Sequence, residues 1–186
     1  MELIGTHNSG TGEPSQKWYH KLLIPFARCQ SKTIKEQREV GCGYFDLRVY
    51  RESDGNYRIC HGLWRSKKSL DTILIELSEG SSVKAYTQVT LENKDINDTD
   101  KVVEEIEELV NTYGRGIVHL TQVNHKSKNG WSVLRYYIPC PAVIQGFLPL
   151  DGHSWHTYFP IPWLWKKIYH NTPSWDIGYY TLVDFL

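Results

Sequence analysis

Several things are scarce in this chain of 186 residues, and each scarcity excludes something. No stretch approaches the ~18 consecutive apolar residues of a membrane-spanning helix, and charged or turn-forming residues interrupt every hydrophobic run. Met1 leads straight into Glu2, with no basic segment and apolar stretch behind it. The expectation is therefore a chain without a signal peptide, cytoplasmic or peripheral at a membrane, with export by a signal-independent route left open. Net charge is also missing: 21 Lys and Arg face 21 Asp and Glu. A balanced chain lacks the basic surface that bulk nucleic-acid binding needs to release counterions, so no nucleic-acid partner is expected. Cysteine is sparse: Cys29, Cys42, Cys60 and Cys140 form no CxxC pair and no zinc-type spacing, and read as reduced, buried thiols. There is one Met. What the chain has instead is aromatic residues, 7 Trp and 12 Tyr, on a background of ordinary hydropathy. Its length suits one domain, residues 1–186, able to bury a core and to stand as a monomer.

Leu3 to Thr6 is a short apolar run that ends in the polar cluster His7-Asn8-Ser9-Gly10, the pattern of a buried strand entering a Gly-rich loop. A short helix is expected between Ser31 and Val40, stopped by Gly41. Tyr44–Tyr50 alternates, with Phe45, Leu47 and Val49 on one face and Asp46 and Arg48 on the other. Asp54-Gly55 then turns the chain into Tyr57–His61, which predicts a hairpin. Leu70, Ile73, Leu74 and Leu77 mark a helix, Val83–Glu92 a strand, and Asp98–Asn111 an acidic amphipathic helix. Ile117–Val123 reads as a strand, Trp131–Ile138 as a short helix or loop, and Ala142–Leu150 and Tyr179–Phe185 as further strands. Strands alternating with helices predict an α/β fold with a largely parallel sheet. Polar residues at strand ends suggest a short, incomplete (β/α)8 TIM-type barrel, since such barrels collect chemistry at that end and usually run to about 250 residues.

The residues that carry chemistry are His7, Asp46, Arg48 and His61. Asp46 and Arg48 stand two residues apart and share a strand face, where opposite charges are costly to bury unless paired or used. Two imidazoles and a guanidinium at one mouth suit phosphoryl transfer. One His takes the proton of an attacking oxygen, the other protonates the leaving oxygen, and Arg holds the phosphoryl charge.

Four blocks in order, Ile4-Gly5-Thr6-His7-Asn8-Ser9, Gln30 to Gly41 with Ile34 and Gln37 between, Tyr44-Phe45-Asp46-Leu47-Arg48-Val49, and His61-Gly62, resemble the X domain of phosphatidylinositol-specific phospholipases C. The resemblance covers residues 3–63 closely and extends to Thr90-Leu91-Glu92-Asn93, with Leu182-Val183-Asp184-Phe185 similar to the closing strand. It implies a compact barrel and a two-step cleavage of a phospholipid at a membrane or micelle surface. In it His7 is the general base, His61 the general acid, Arg48 the arginine that takes the place of calcium in metal-independent bacterial members, and Asp184 the carboxylate that orients His7. Asp46 completes the catalytic set. Asn8 and Glu92 depart from the bacterial pattern and match calcium ligands of the animal enzymes. The expectation is a substrate-binding role for both and no required metal; the alternative is Ca2+ held by Asn8, Asp46 and Glu92.

The basic stretch Arg65-Ser66-Lys67-Lys68 is read either as a solvated loop or as a surface for an anionic headgroup through Arg65 and Lys67, with Trp64 at a lipid interface. The aromatic segment 153–175 reads either as an interfacial wedge or as packed rim. Two other functions compete with the phospholipase reading. One is an inactive barrel kept for binding headgroups or partners; the other is a metal-dependent glycerophosphodiester or sphingolipid phosphodiesterase.

Overall fold

A computed structural model of the chain describes residues 4–79, 81–127, 130–137, 144–145 and 181–183. Asp184, Cys140, the aromatic segment 153–175 and most of the two expected strands at 142–150 and 179–185 lie outside the described residues. Strand β1 (Ile4–Thr6) enters two 3-10 turns (Ser9–Gly12 and Trp18–Leu23) and a one-turn helix α1 (Ile24–Ala27). Helix α2 (Ile34–Glu39) starts on a capping box: the Thr33 hydroxyl accepts from the Glu36 N–H, and the Thr33 N–H donates back to Glu36 Oε2. Then come β2 (Tyr44–Arg51), β3 (Tyr57–His61), β4 (Trp64–Ser69), α3 (Leu70–Ser78) and β5 (Ala85–Leu91). Helix α4 (Thr99–Tyr113), capped by Asp98, leads to β6 (Val118–Ser127) and β7 (Gly130–Tyr136). Short strands β8 (Ile144–Gln145) and β9 (Thr181–Val183) complete the set.

The sheet runs β7-β6-β5-β2-β1-β9-β8. Its central pairings are parallel, as the alternation of strands and helices predicts; β6–β7, β2–β3 and β3–β4 are antiparallel. Among the described residues no pairing joins β7 to β8, so the sheet is mixed α/β and is not shown as a closed barrel. No helix among these residues is long and apolar enough to cross a membrane.

Two of the sequence expectations are corrected. Trp131–Tyr136 is a strand, not a helix or loop, because it pairs antiparallel with β6, with Lys126 opposite Trp131 and Gln122 opposite Tyr136. The basic stretch from Trp64 is also a strand, pinned to β3 on one edge and to residues 14–16 on the other, where Gln16 N–H donates to the Arg65 carbonyl and Lys67 N–H to that of Pro14. Trp64 is accordingly only 2% exposed, its indole N–H bonded to Ser15 Oγ, and does not face a lipid interface. Lys68 lies between Glu13 and Glu76, each at 2.7 Å.

What positions the chemistry is a fork on β2. Strand β1 pairs with Tyr44 and Phe45 at its start, and β3 pairs with Val49–Arg51 at its end, along the same edge. Because β1 is only three residues long, the chain after it folds over the stretch of β2 left between the two. The helix-side face of the sheet is apolar: Phe45, Leu47, Val49, Val89 and Leu91 are sealed against Leu70, Ile73, Leu74, Val103 and Ile106. The opposite face is polar. Registers set Asp46 beside Gln88 and Arg48 beside Thr90, and Gln88 and Thr90 beside Gln122 and Asn124. Both faces of β2 are buried, so its charges had to be paired.

The loop after β1 is clamped from below. Thr11 Oγ1 accepts from the N–H groups of Cys29 and Gln30 and donates to the Asn8 carbonyl. Gln37 Nε2 bridges the carbonyls of Ser9 and Lys32. A Cβ on Gly12 would overlap the Lys32 carbonyl, so this approach requires glycine. Gly12→Ala is expected to cost about 1–3 kcal/mol, read as a lowered urea midpoint. An unchanged midpoint would show that the loop is not packed this closely.

Candidate active site

The polar face holds one sealed cation. The Arg48 side chain is 9% exposed and reaches three partners around its plane. Nη1 lies 3.3 Å from Glu92 Oε1, Nη2 lies 3.0 Å from His7 Nε2, and Nε lies 3.8 Å from Asp46 Oδ2. A guanidinium can only donate, so His7 Nε2 accepts in this contact. Asp46 Oδ2 also takes the N–H of Asn8 at 3.1 Å and lies 3.7 Å from His7 Nε2. Burial opposes the charge on Asp46, yet the Arg48 guanidinium and then His7 outweigh it and hold the carboxyl below its usual range. Glu92 behaves in the same way: burial raises its pKa, while Arg48, His61 and Lys126 together bring it down. For Arg48 itself, desolvation is offset by Asp46 and Glu92, and its pKa lies above the usual value.

His61 ends β3 on the other side of the fork. Its Nδ1 lies 2.7 Å from the Ala27 carbonyl, which can only accept, so Nδ1 carries the hydrogen and Nε2 is the nitrogen that gains or loses a proton. Gly62, next in the chain, adopts φ 58 and donates its N–H to Glu92 Oε2 at 2.7 Å. Glu92 thus ties the Arg48 guanidinium to the His61 turn. Burial first and the Arg48 charge second push the His61 pKa down to about 4. Among the residues expected from the sequence, His7, Asn8, Asp46, Arg48, His61 and Glu92 come together. Arg65 and Lys67 do not touch this cluster among the described residues: the Arg65 guanidinium lies 4.2 Å from the Tyr50 ring centroid, and Lys67 is exposed on β4. Asp184 lies outside the described residues.

Some contributors were not legible in the sequence. Lys126 on β6 lies 3.8 Å from Glu92 Oε1, and Trp131 on β7 lies against Arg48, with its ring centroid 4.9 Å from Cζ. Cys29 accepts from Asn8 Nδ2 at 3.2 Å, and Cys60 lies 3.7 Å from Glu92. Cys29, Cys42 and Cys60 are all buried, as the sparse cysteine pattern predicts. Gln30, quoted in the sequence only as a motif position, holds the His7 carbonyl through Nε2 at 2.9 Å. The signal for Lys126 and Trp131 is the β6–β7 hairpin, which a strand reading of Trp131–Tyr136 would have placed.

The donor set fits calcium poorly. Asp46 and Glu92 each face the Arg48 guanidinium, so a dication bridging them would sit on a fixed positive charge. Among the described residues no three His, Cys, Asp or Glu side chains cluster as metal ligands. What the arrangement offers is a fork of donors in contact with one imidazole and tied through Glu92 to the turn of a second, suited to an oxyanion bound by charge-assisted hydrogen bonds.

No protein-family model matches the chain, and no curated protein matches it. Solved structures do. The chain is similar to phosphatidylinositol-specific phospholipase C from Listeria monocytogenes, with 18% identity and a TM-score of 0.54 over 86% of this chain and 65% of that one. It is also similar to the F249X mutant of phosphatidylinositol-specific phospholipase C from Staphylococcus aureus, with 16% identity and a TM-score of 0.50 over 67% of this chain and 47% of that one. The chain thus spans less than two thirds of either structure, and identities this low show a shared fold alone.

The His61 environment has a measurable consequence. Its imidazole is expected to titrate near pH 4 in the free protein, followed by its ring-proton NMR signals. The unfolded imidazole takes a proton near 6.5 that the folded one refuses, so stability is lost as pH falls from about 6.5 toward 4. Replacing His61 with Phe should flatten that slope in urea unfolding. A ring midpoint near 6.5 in the folded protein would contradict the burial described here.

Proposed function

We propose that the chain is a phosphodiesterase of the phospholipase C type, acting on phosphatidylinositol or a related glycerophospholipid headgroup. The observation that carries this reading is the placement of two imidazoles around one sealed guanidinium: His7 in contact with it, and His61 joined to it through Glu92. The likeness in fold to bacterial phosphatidylinositol-specific phospholipases C supports it. So does the resemblance of the four sequence blocks, whose residues form the site. The same likeness favours a (β/α) barrel as the architecture to which the sheet belongs.

The proposed steps follow from the atoms. An anionic phosphodiester draws Nη2 of Arg48 away from His7 Nε2, which frees that lone pair. Nε2 then takes the proton of the inositol 2-hydroxyl, the oxygen bonds to phosphorus, and the bond from phosphorus to the diacylglycerol oxygen breaks. The leaving oxygen takes its proton from His61 Nε2, giving a cyclic phosphate and diacylglycerol. Water then attacks phosphorus and gives a proton to His61 Nε2. The bond from phosphorus to the inositol 2-oxygen breaks, and that oxygen takes back its proton from His7 Nε2, so both imidazoles return to their starting states. His61 must carry a proton before the first step, and a bound anion favours this by offsetting the Arg48 charge that pushes the proton off. Asp46, with the Asn8 N–H on its carboxylate, keeps the Arg48 fork aligned. Arg48 occupies the place a metal would take, and we assign no metal to the reaction. The lipid lies at a membrane or micelle surface, and Asp184 keeps its proposed role behind His7.

Phosphorus NMR of the protein with phosphatidylinositol micelles, in EDTA and then in excess calcium, tests the reading. A cyclic inositol phosphate in EDTA is the expected product. Its formation only with calcium would move Asn8, Asp46 and Glu92 to metal ligands, and no product in either condition would favour a binding role. His7→Ala and His61→Ala should each cut turnover by about 10²–10⁴. Arg48→Lys should also be slow, since it keeps the charge but loses the fork.

A further inference from the structure

Arg48 presents a particular problem of restraint. Its in-plane contacts are uneven: Nη1 and Nη2 have partners within 3.3 Å, whereas Nε is buried with no hydrogen bond among the described residues. In-plane bonds on one side leave the plane free to tilt. The group that limits the tilt comes from the far end of the sheet. Strand β7 is three places from β2, and at ~4.8 Å per strand the two backbones stand ~14 Å apart. The Arg48 and Trp131 side chains close that gap across the polar face and meet at 4.9 Å. Register explains the aim: Trp131 pairs directly with Lys126, whose Nζ lies 5.6 Å from the same ring and 3.8 Å from Glu92. Trp131 is itself 55% exposed, so its burial is not the reason for its place. A large aromatic half open to solvent, with two cations against it, is arranged for the cations.

We propose that Trp131 is a positioning residue for Arg48: its ring holds the guanidinium plane so that the fork meets the phosphoryl oxygens when the anion displaces His7. This rests on the phosphodiesterase reading for its kinetic effect, though not for its geometry. The ring keeps Arg48 from swinging toward solvent, and it shields the charge from water, where that charge would be diluted.

Three replacements separate the proposal from a packing role. Trp131→Phe keeps an aromatic face and should hold kcat near the wild-type value. Trp131→Leu keeps bulk without the face and should lower kcat by about 2–30-fold, with KM changed far less. In an Arg48→Lys background the Trp131→Leu loss should vanish, because the group being positioned is gone. A readout independent of turnover is the Arg48 side-chain N–H signal in ¹⁵N NMR. It should be shielded by the indole in the wild type, move to its ordinary position in Trp131→Leu, and stay shielded in Trp131→Phe. An Arg48 signal unmoved by Trp131→Leu, or losses that multiply independently in the double variant, would overturn the proposal. If the wild type forms no cyclic product in EDTA or calcium, the phosphodiesterase reading fails by itself, and the Arg48 signal still decides whether Trp131 positions it.

Discussion

The interior charge on Arg48 is the constraint around which this fold is arranged. A guanidinium withdrawn from water costs several kcal/mol unless its charge is met, and here the charge is met by Asp46 from the same strand and Glu92 from just beyond β5. Neither partner alone suffices. Asp46 reaches only to Nε distance at 3.8 Å, and Glu92 takes one nitrogen of the fork. The parallel pairing of β2 with β5, which sets Arg48 beside Thr90, carries Glu92 to the required place. A slip of one residue would turn Glu92 to the apolar face and leave the cation half paired. The sheet register and the electrostatics therefore support each other.

The rest of the site is held by two backbone N–H groups on those carboxylates, Asn8 on Asp46 and Gly62 on Glu92, and by a set of neutral hydrogen bonds. Gln30 and Gln37 hold the carbonyls around His7, Thr11 joins the loop to residues 29–30, and the Ala27 carbonyl fixes which nitrogen of His61 carries its hydrogen. The groups that do the holding are backbone carbonyls, two side-chain amides and the Thr11 hydroxyl, none of which titrates with the imidazoles. The site can therefore change protonation at the two imidazoles without losing the scaffold that aims them. The single contact that must break for the proposed chemistry, Arg48 to His7, is the one an anion is best able to replace.

Legibility in the sequence followed locality. The short helix before Gly41, the apolar repeat of Leu70 to Leu77 and the alternation around Asp46 and Arg48 were each legible, because each is governed by neighbours in the chain. Strand β4 was not legible, because Trp-Arg-Ser-Lys-Lys-Ser has the composition of a loop and is extended only through β3 and residues 14–16. Strand β7 was not legible for a related reason. Its side chains are largely exposed, so no buried face imposes an alternation, and its pairing with β6 defines it. Lys126 and Trp131 were missed with it, as was the pairing of Lys68 with Glu13 and Glu76.

Local pattern thus accounts for the helices, for the central strands and for the residue types able to handle a phosphodiester: His7, Asp46, Arg48, His61 and Glu92. It does so because side-chain periodicity and capping act over a few residues, and because opposite charges inside an apolar strand announce a need for partners. Which partners meet was settled at longer range. The fork on β2 brings His7 against one guanidinium and joins the His61 turn to it through Glu92, and the β6–β7 pair lays an indole against it. Those contacts join residues 41, 44 and more positions apart. Strand pairing and desolvation choose them only once the whole sheet is assembled.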